Sequence, residues 1–168
     1  RSCDVPFNFA DLQQELRELR ADPPKYVSHI SDLQVPSFVC GDDGNLEKPD
    51  GEGPWDLLVT VFGPEEDEAY GAPFRVRLRF DSDLWPRHLA VVRFQCVIHH
   101  ALTDESGGML MPFYRSLPRD ERGACTVRLM LQAVRRFLTD PLEAWNIRKD
   151  EAPERVVKVI AVHRRLNS

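Results

Sequence analysis

The stretch PFRVRLRF, residues 73–80, constrains the fold more than any other. Phe74, Val76, Leu78 and Phe80 alternate with Arg75, Arg77 and Arg79. Successive strand side chains point to opposite faces, so one face here is apolar and the other cationic. The pattern predicts a half-buried antiparallel strand whose arginines lie on a solvated sheet face. Its apolar face needs a second layer to cover it. Neighbouring strands are at hand. Trp55–Phe62 is one, ended by Gly63-Pro64, and Leu89–Ile98, β-branched and apolar, is another. Tyr26–Val39 alternates loosely and is expected to hold the first strand.

Helices flank these strands. Phe9, Leu12, Leu16 and Leu19 fall three or four apart, which predicts a helix from Phe9 to Arg20 with one apolar stripe. Asn8 is its expected N-cap, with Asp11 in a box-like position. Ala21-Asp22-Pro23-Pro24 stops it, because a residue before proline avoids helical angles. Thr126 is expected to cap a second helix that buries Val127, Met130, Leu131, Val134 and Leu138, and Asp140-Pro141 ends it. Pro153 suits the first turn of a last helix burying Val156, Val157, Ile160 and Ala161. Cys40–Pro54 is rich in Gly, Pro and Asp and reads as an exposed loop insertion, residues 40–54. Residues 1–7 form an N-terminal extension to a single domain over 1–168. Segregated strands and helices predict an α+β sandwich: an N-terminal helix, a four-stranded antiparallel meander, an irregular crossing and C-terminal helices.

The totals exclude several classes of function. A net charge of −5 gives no reason to expect nucleic acid. No apolar run approaches a membrane span, so no membrane insertion is expected. Four separated cysteines without a CxxC motif predict free thiols and a reducing, cytoplasmic compartment. A processed organellar protein stays open as well, because the chain starts at Arg1.

The stretch IHHALTDESGGMLMPFY, Ile98–Tyr114, has the composition of a site: paired histidines, a turn and an apolar run. Cys96, His99 and His100 would offer zinc only three ligands where a structural site wants four, and adjacent histidines on an extended chain point apart. No metal or cofactor is expected. His100, Asp104 and Ser106 carry the letters of a hydrolase triad without the spacing of a nucleophile elbow, and they read as a turn. Met109 is expected to be buried. Phe113 and Tyr114, with Trp85 further upstream, are candidates for contact with a partner, since aromatics favour interfaces.

The whole layout resembles the ubiquitin-conjugating enzyme fold. LQQELRELRADPP (Leu12–Pro24) looks like that family's first helix, VTVFGP (Val59–Pro64) like its second strand and Gly-Pro turn, and PFRVRLRF (Pro73–Phe80) like its third strand. TVRLMLQAVRRFLTDP (Thr126–Pro141) looks like the helix after the active site. The family's site reads His-Pro-Asn, then several residues to a Gly, a hydrophobic residue, the catalytic Cys and a Leu. Matched without a gap from His100, Ala101 takes the Pro position and Leu102 the Asn position. Gly107 takes the Gly position, Met109 the hydrophobic one, Leu110 that of the Cys and Met111 that of the Leu. Thioester formation needs a thiolate, and support of an oxyanion needs a polar donor. Leu110 and Leu102 supply neither.

Other segments depart from the pattern too. LWPRHL (Leu84–Leu89) replaces a Tyr-Pro-x-x-Pro-Pro run, and ERG (Glu121–Gly123) replaces Trp-Ser-Pro. The resemblance therefore implies an inactive relative acting as a protein-interaction or scaffold subunit. Its partner would be an active conjugating enzyme and ubiquitin, as for the ubiquitin-conjugating enzyme variants; a helical adaptor, as for the fused-toes family; or a larger assembly. The alternative is a transferase with a displaced nucleophile, Cys125 or Cys96. Cys125 is the better placed of the two, because a helix N-terminus lowers a thiol pKa.

Overall fold

The computed structural model describes residues 9–34, 54–66, 71–80, 90–95, 98, 100 and 102–140. The expected N-cap Asn8, the loop insertion up to Gly53, Trp85, Cys96, His99 and the last helix lie outside the described residues.

The chain runs α1 (Phe9–Ala21), β1 (Val27–Ile30), β2 (Trp55–Phe62), β3 (Pro73–Phe80), β4 (Ala90–Phe94), α2 (Met111–Arg115) and α3 (Val127–Thr139). The four strands form one antiparallel meander in the order β1-β2-β3-β4. The alternation in β3 decides which way the sheet faces. Phe74, Val76, Leu78 and Phe80 are buried, with Leu57, Val59 and Val61 of β2 and Val92 and Phe94 of β4 beside them. Leu12, Leu16 and Leu19 of α1, and Met130, Leu131, Val134, Phe137 and Leu138 of α3, complete the same core. This is the expected α+β sandwich, one sheet with helices over one face.

The opposite face of β3 carries Arg75, exposed, and Arg77 and Arg79, half-buried. Arg79 grips Asp56 of β2 through two bonds, Nε to Oδ1 at 2.8 Å and Nη2 to Oδ2 at 3.0 Å. That fork-to-fork geometry is the strongest form of the pair, and it locks the register in which Asp56 faces Arg79.

Three local features differ from the sequence expectation. β4 runs only to Phe94, and Ile98, expected to close it, is buried outside any strand. β1 is four residues long, with a register irregularity between Val27 and Ile30 that blurs its alternation. The crossing also holds a short helix, α2, where none was expected. Pro112 fits its first turn, but five residues are too few to display a helical period.

The cap of α3 is as expected. Thr126 Oγ1 accepts from Leu129 N at 3.3 Å, satisfying one of the free amides of the first turn. Glu15 of α1 takes another, its Oε1 accepting from Val127 N at 3.0 Å. This bond ties the first helix to the third.

Candidate functional site

The segment between β4 and α3 is built on hydrogen bonds to its own backbone. Thr103 bridges Met109 in antiparallel fashion. Asp104 N donates to Gly108 O at 2.9 Å, and Leu110 N donates to Leu102 O at 2.8 Å. Residues 102–110 thus form a tight hairpin that turns at Glu105–Gly107. The Asp104 carboxylate holds the turn from inside, its Oδ1 accepting from Ser106 Oγ at 2.7 Å, Ser106 N at 2.8 Å and Gly108 N at 2.9 Å. The Ser106 hydroxyl bond is the main cause that draws the Asp104 pKa below its ordinary value, with burial opposing it.

The hairpin also closes the sheet. Phe94 N donates to Gly107 O at 2.9 Å, and Arg93 bridges Gly108. Val92 N donates to the Tyr114 hydroxyl at 3.0 Å. The free edge of β4 is therefore covered rather than left as an unpaired edge.

His100 is buried at the base of the hairpin, with its ring 3.8 Å from that of Phe137 of α3. Its Nδ1 accepts from Leu102 N at 3.1 Å. The His100 carbonyl accepts from Thr103 Oγ1 at 2.9 Å. The letters of a triad are present without its geometry, since Asp104 bonds Ser106 and His100 bonds the backbone of Leu102.

Position 110 stands at the N-cap of α2. Leu110 is half-buried, Leu102 is fully buried and Met109 is 8% exposed. Around this point the hairpin presents aliphatic side chains and backbone. It offers no thiol, and no cysteine occurs anywhere between Cys96 and Cys125.

Two sequence expectations are corrected here. Phe113 is 0% exposed, edge-on to Phe137 at 6.3 Å and to Tyr114 at 5.3 Å. It is a core residue and presents no surface to a partner, because the unanticipated helix α2 turns it inward. Tyr114 is half-buried with its phenol engaged by Val92, and burial raises its pKa.

Cys125 is the second correction. It precedes the α3 N-terminus as expected, yet it is 0% exposed and its pKa is pushed up to about 11. Burial disfavours the charged thiolate more than the helix end favours it, and the Glu15 and Asp120 carboxylates add to the rise against Arg119. In the native protein, Cys125 is therefore expected to resist alkylation by iodoacetamide at neutral pH and to label fully once unfolded, read by peptide mass mapping. The sign of the linkage follows. An unfolded thiol ionises near 8.5, so this group favours the fold below that pH. The contribution fades as pH rises from about 9 towards about 11. Fast labelling of native Cys125 at pH 7 would contradict its burial.

Among the described residues no group of three or more His, Cys, Asp and Glu side chains could hold a metal ion, and no helix is long and apolar enough to cross a membrane.

This architecture, with a short hairpin and turn running from β4 into a short helix that buries Pro112 and Phe113, defines a ubiquitin-conjugating-like α+β fold. Human ubiquitin-conjugating enzyme E2 G1 superposes with a TM-score of 0.54 over 82% of this chain and 98% of that one, at 23% sequence identity. The ubiquitin conjugating enzyme E2 from Plasmodium falciparum gives a TM-score of 0.52 over 79% of this chain and 98% of its own, at 14% identity. No family model matches the sequence.

Proposed function

We propose that this chain is a ubiquitin-conjugating-fold protein without thioester chemistry, serving as a protein-interaction subunit. The single observation that carries the reading is Leu110 at the mouth of α2, where the matched pattern has its catalytic cysteine. A ubiquitin thioester needs a sulfur nucleophile at an accessible site, and Leu110 has no nucleophilic atom. Leu102, matched to the asparagine, has no side-chain donor for an oxyanion and is fully buried. Burial of Cys125 argues against it as a displaced nucleophile.

What remains useful in such a chain is a rigid surface. The sheet, α1 and α3 share one core, and the hairpin is pinned to β4 and to Phe137. Interaction with ubiquitin and an active conjugating enzyme, with a helical adaptor, or within a larger assembly all fit this role. Cys96 and Trp85 stay as proposals of the sequence, the first as an alternative nucleophile and the second as a partner contact. The test is a charging reaction with activating enzyme, ATP and ubiquitin, run on the wild-type chain and on Cys96→Ser and Cys125→Ser. The expected result is the absence of a thiol-reversible ubiquitin adduct. An adduct lost in one cysteine variant would identify a displaced nucleophile and overturn the reading.

A further inference from the structure

A cavity of about 550 Å³ opens beside the entry to β1, the exit of β2 and the middle of α3. That volume lies within the range of small-molecule sites. Lys25 and Tyr26 line it ahead of β1, Phe62 and Pro64 at the exit of β2, and Arg135 from α3. Gly63 and Gly71 line it as well and bring no side chain to fill the space.

Arg135 is half-buried and held from two sides. Its Nη1 donates to the Phe62 carbonyl. Its guanidinium carbon stands over the Tyr26 ring, 5.5 Å from the centroid, within range of a cation–π contact. These contacts fix the guanidinium plane and leave one edge free. Among the described residues neither Nε nor Nη2 of Arg135 has a hydrogen-bond partner, and neither atom is enclosed. This edge is a fork that can donate to both oxygens of a carboxylate at once. The ion pairs among the described residues join Arg20, Arg79, Arg122 and Arg136 to aspartates and leave Arg135 out. The Tyr26 hydroxyl is enclosed, so that residue offers a ligand its ring alone.

Charge at the rim narrows the class of ligand. Lys25 is exposed there and adds to the attraction of an anion, while Glu65 and Glu66, also exposed, line the same cavity. A single carboxylate meets its charge at Arg135. A phosphate ester or a nucleotide brings further negative charge, which the two glutamates repel. Tyr26, Phe62 and Pro64 give apolar surface for a body behind the carboxylate.

We propose that this cavity binds a small organic monocarboxylate, its two oxygens on Nε and Nη2 of Arg135 and its apolar body against Tyr26, Phe62 and Pro64. Leu102, Leu110 and Cys125 take no part in lining the cavity. The proposal therefore goes beyond the reading of the chain as an interaction subunit and does not depend on it.

The experiment is a nuclear magnetic resonance titration of the full, isotope-labelled chain with phenylacetate. Phenylacetamide serves as the neutral comparison and phenyl phosphate as the dianion. Phenylacetate binds saturably with a Kd of about 1 mM or below. The shifts concentrate at the amides of Tyr26, Gly63 and Gly71 and at the Arg135 Nε–H. The amide and the phosphate each bind at least about fivefold more weakly. Arg135→Lys keeps the charge but loses the fork, and it weakens phenylacetate about fivefold or more. Arg17→Gln, a charge lost on the exposed face of α1, changes binding less than about twofold. The amide spectrum of each variant checks its fold. Should Arg135→Lys unfold, the Arg135 Nε–H shift in the wild-type chain still reads the contact directly. The proposal is overturned if phenylacetate gives no saturable shift by about 10 mM, or if the Arg135 Nε–H stays unmoved. Equal binding of phenylacetamide or phenyl phosphate, or a folded Arg135→Lys that binds like wild type, overturns it too. Ubiquitin charging does not enter this assay, so failure of the cavity and failure of the inactive reading are separately visible.

Discussion

Phe137→Ala is expected to lower the free energy of unfolding by about 3–5 kcal/mol, the range for a large aromatic removed from a packed core. Phe137 is 0% exposed on the inner face of α3. Its ring lies 5.5 Å from Phe94 of the last strand, 3.8 Å from His100 at the hairpin base and 6.3 Å from Phe113 of α2. One side chain therefore joins the sheet, the crossing and two helices. Truncating it loses the transfer free energy of the ring and opens a cavity among three separate elements that cannot all close in. Phe137→Leu refills part of that volume and should cost less than half as much. Urea titrations followed by far-ultraviolet circular dichroism measure both. A loss below about 1 kcal/mol for the alanine variant would mean that the crossing does not pack on α3 as described.

The second large effect is expected at Gly107, where alanine should cost about 2–4 kcal/mol. Two independent penalties add there. The backbone has φ of 87°, a region that residues with a Cβ adopt only under strain. A Cβ at this position would also lie 2.7 Å from the Phe94 carbonyl oxygen. That neighbour is backbone of a paired strand and cannot step aside without disturbing the bond from Phe94 N to Gly107 O. Gly123 supplies the control. It has φ of 77° but nothing within 4 Å of an added Cβ, so Gly123→Ala carries only the conformational penalty of about 1–2 kcal/mol. Similar losses at the two sites would show that the hairpin does not press on β4.

The readable parts of this chain are those where a long period meets a one-sided environment. PFRVRLRF alternates over eight residues against a core on one face, so its strand and its inward side chains could be read directly. Thr126 before an apolar helical stripe marked the start of α3 for the same reason. β1 was legible only as a loose alternation, because its register slips within four residues. α2 was not legible, since five residues do not complete two turns, and its absence from the expectation left Phe113 facing the wrong way. Cys125 shows the same limit at the level of chemistry. Adjacency to a helix start is written in the sequence, while complete burial is decided by tertiary packing, and burial wins. Leu110 is the opposite case. A residue type that lacks a nucleophilic atom needs no coordinates to be read, although its place at the N-cap of α2 does.

The measurement that tests the central claim most directly is the intact mass of the chain after incubation with activating enzyme, ATP and ubiquitin, taken before and after treatment with a thiol reductant. A known active conjugating enzyme in a parallel reaction provides the control. The account expects the mass of this chain to stay unchanged while the control gains one ubiquitin that the reductant removes. A ubiquitin-sized gain on this chain, lost on reduction, would contradict it, because Leu110 would then stand in a working enzyme whose sulfur lies elsewhere.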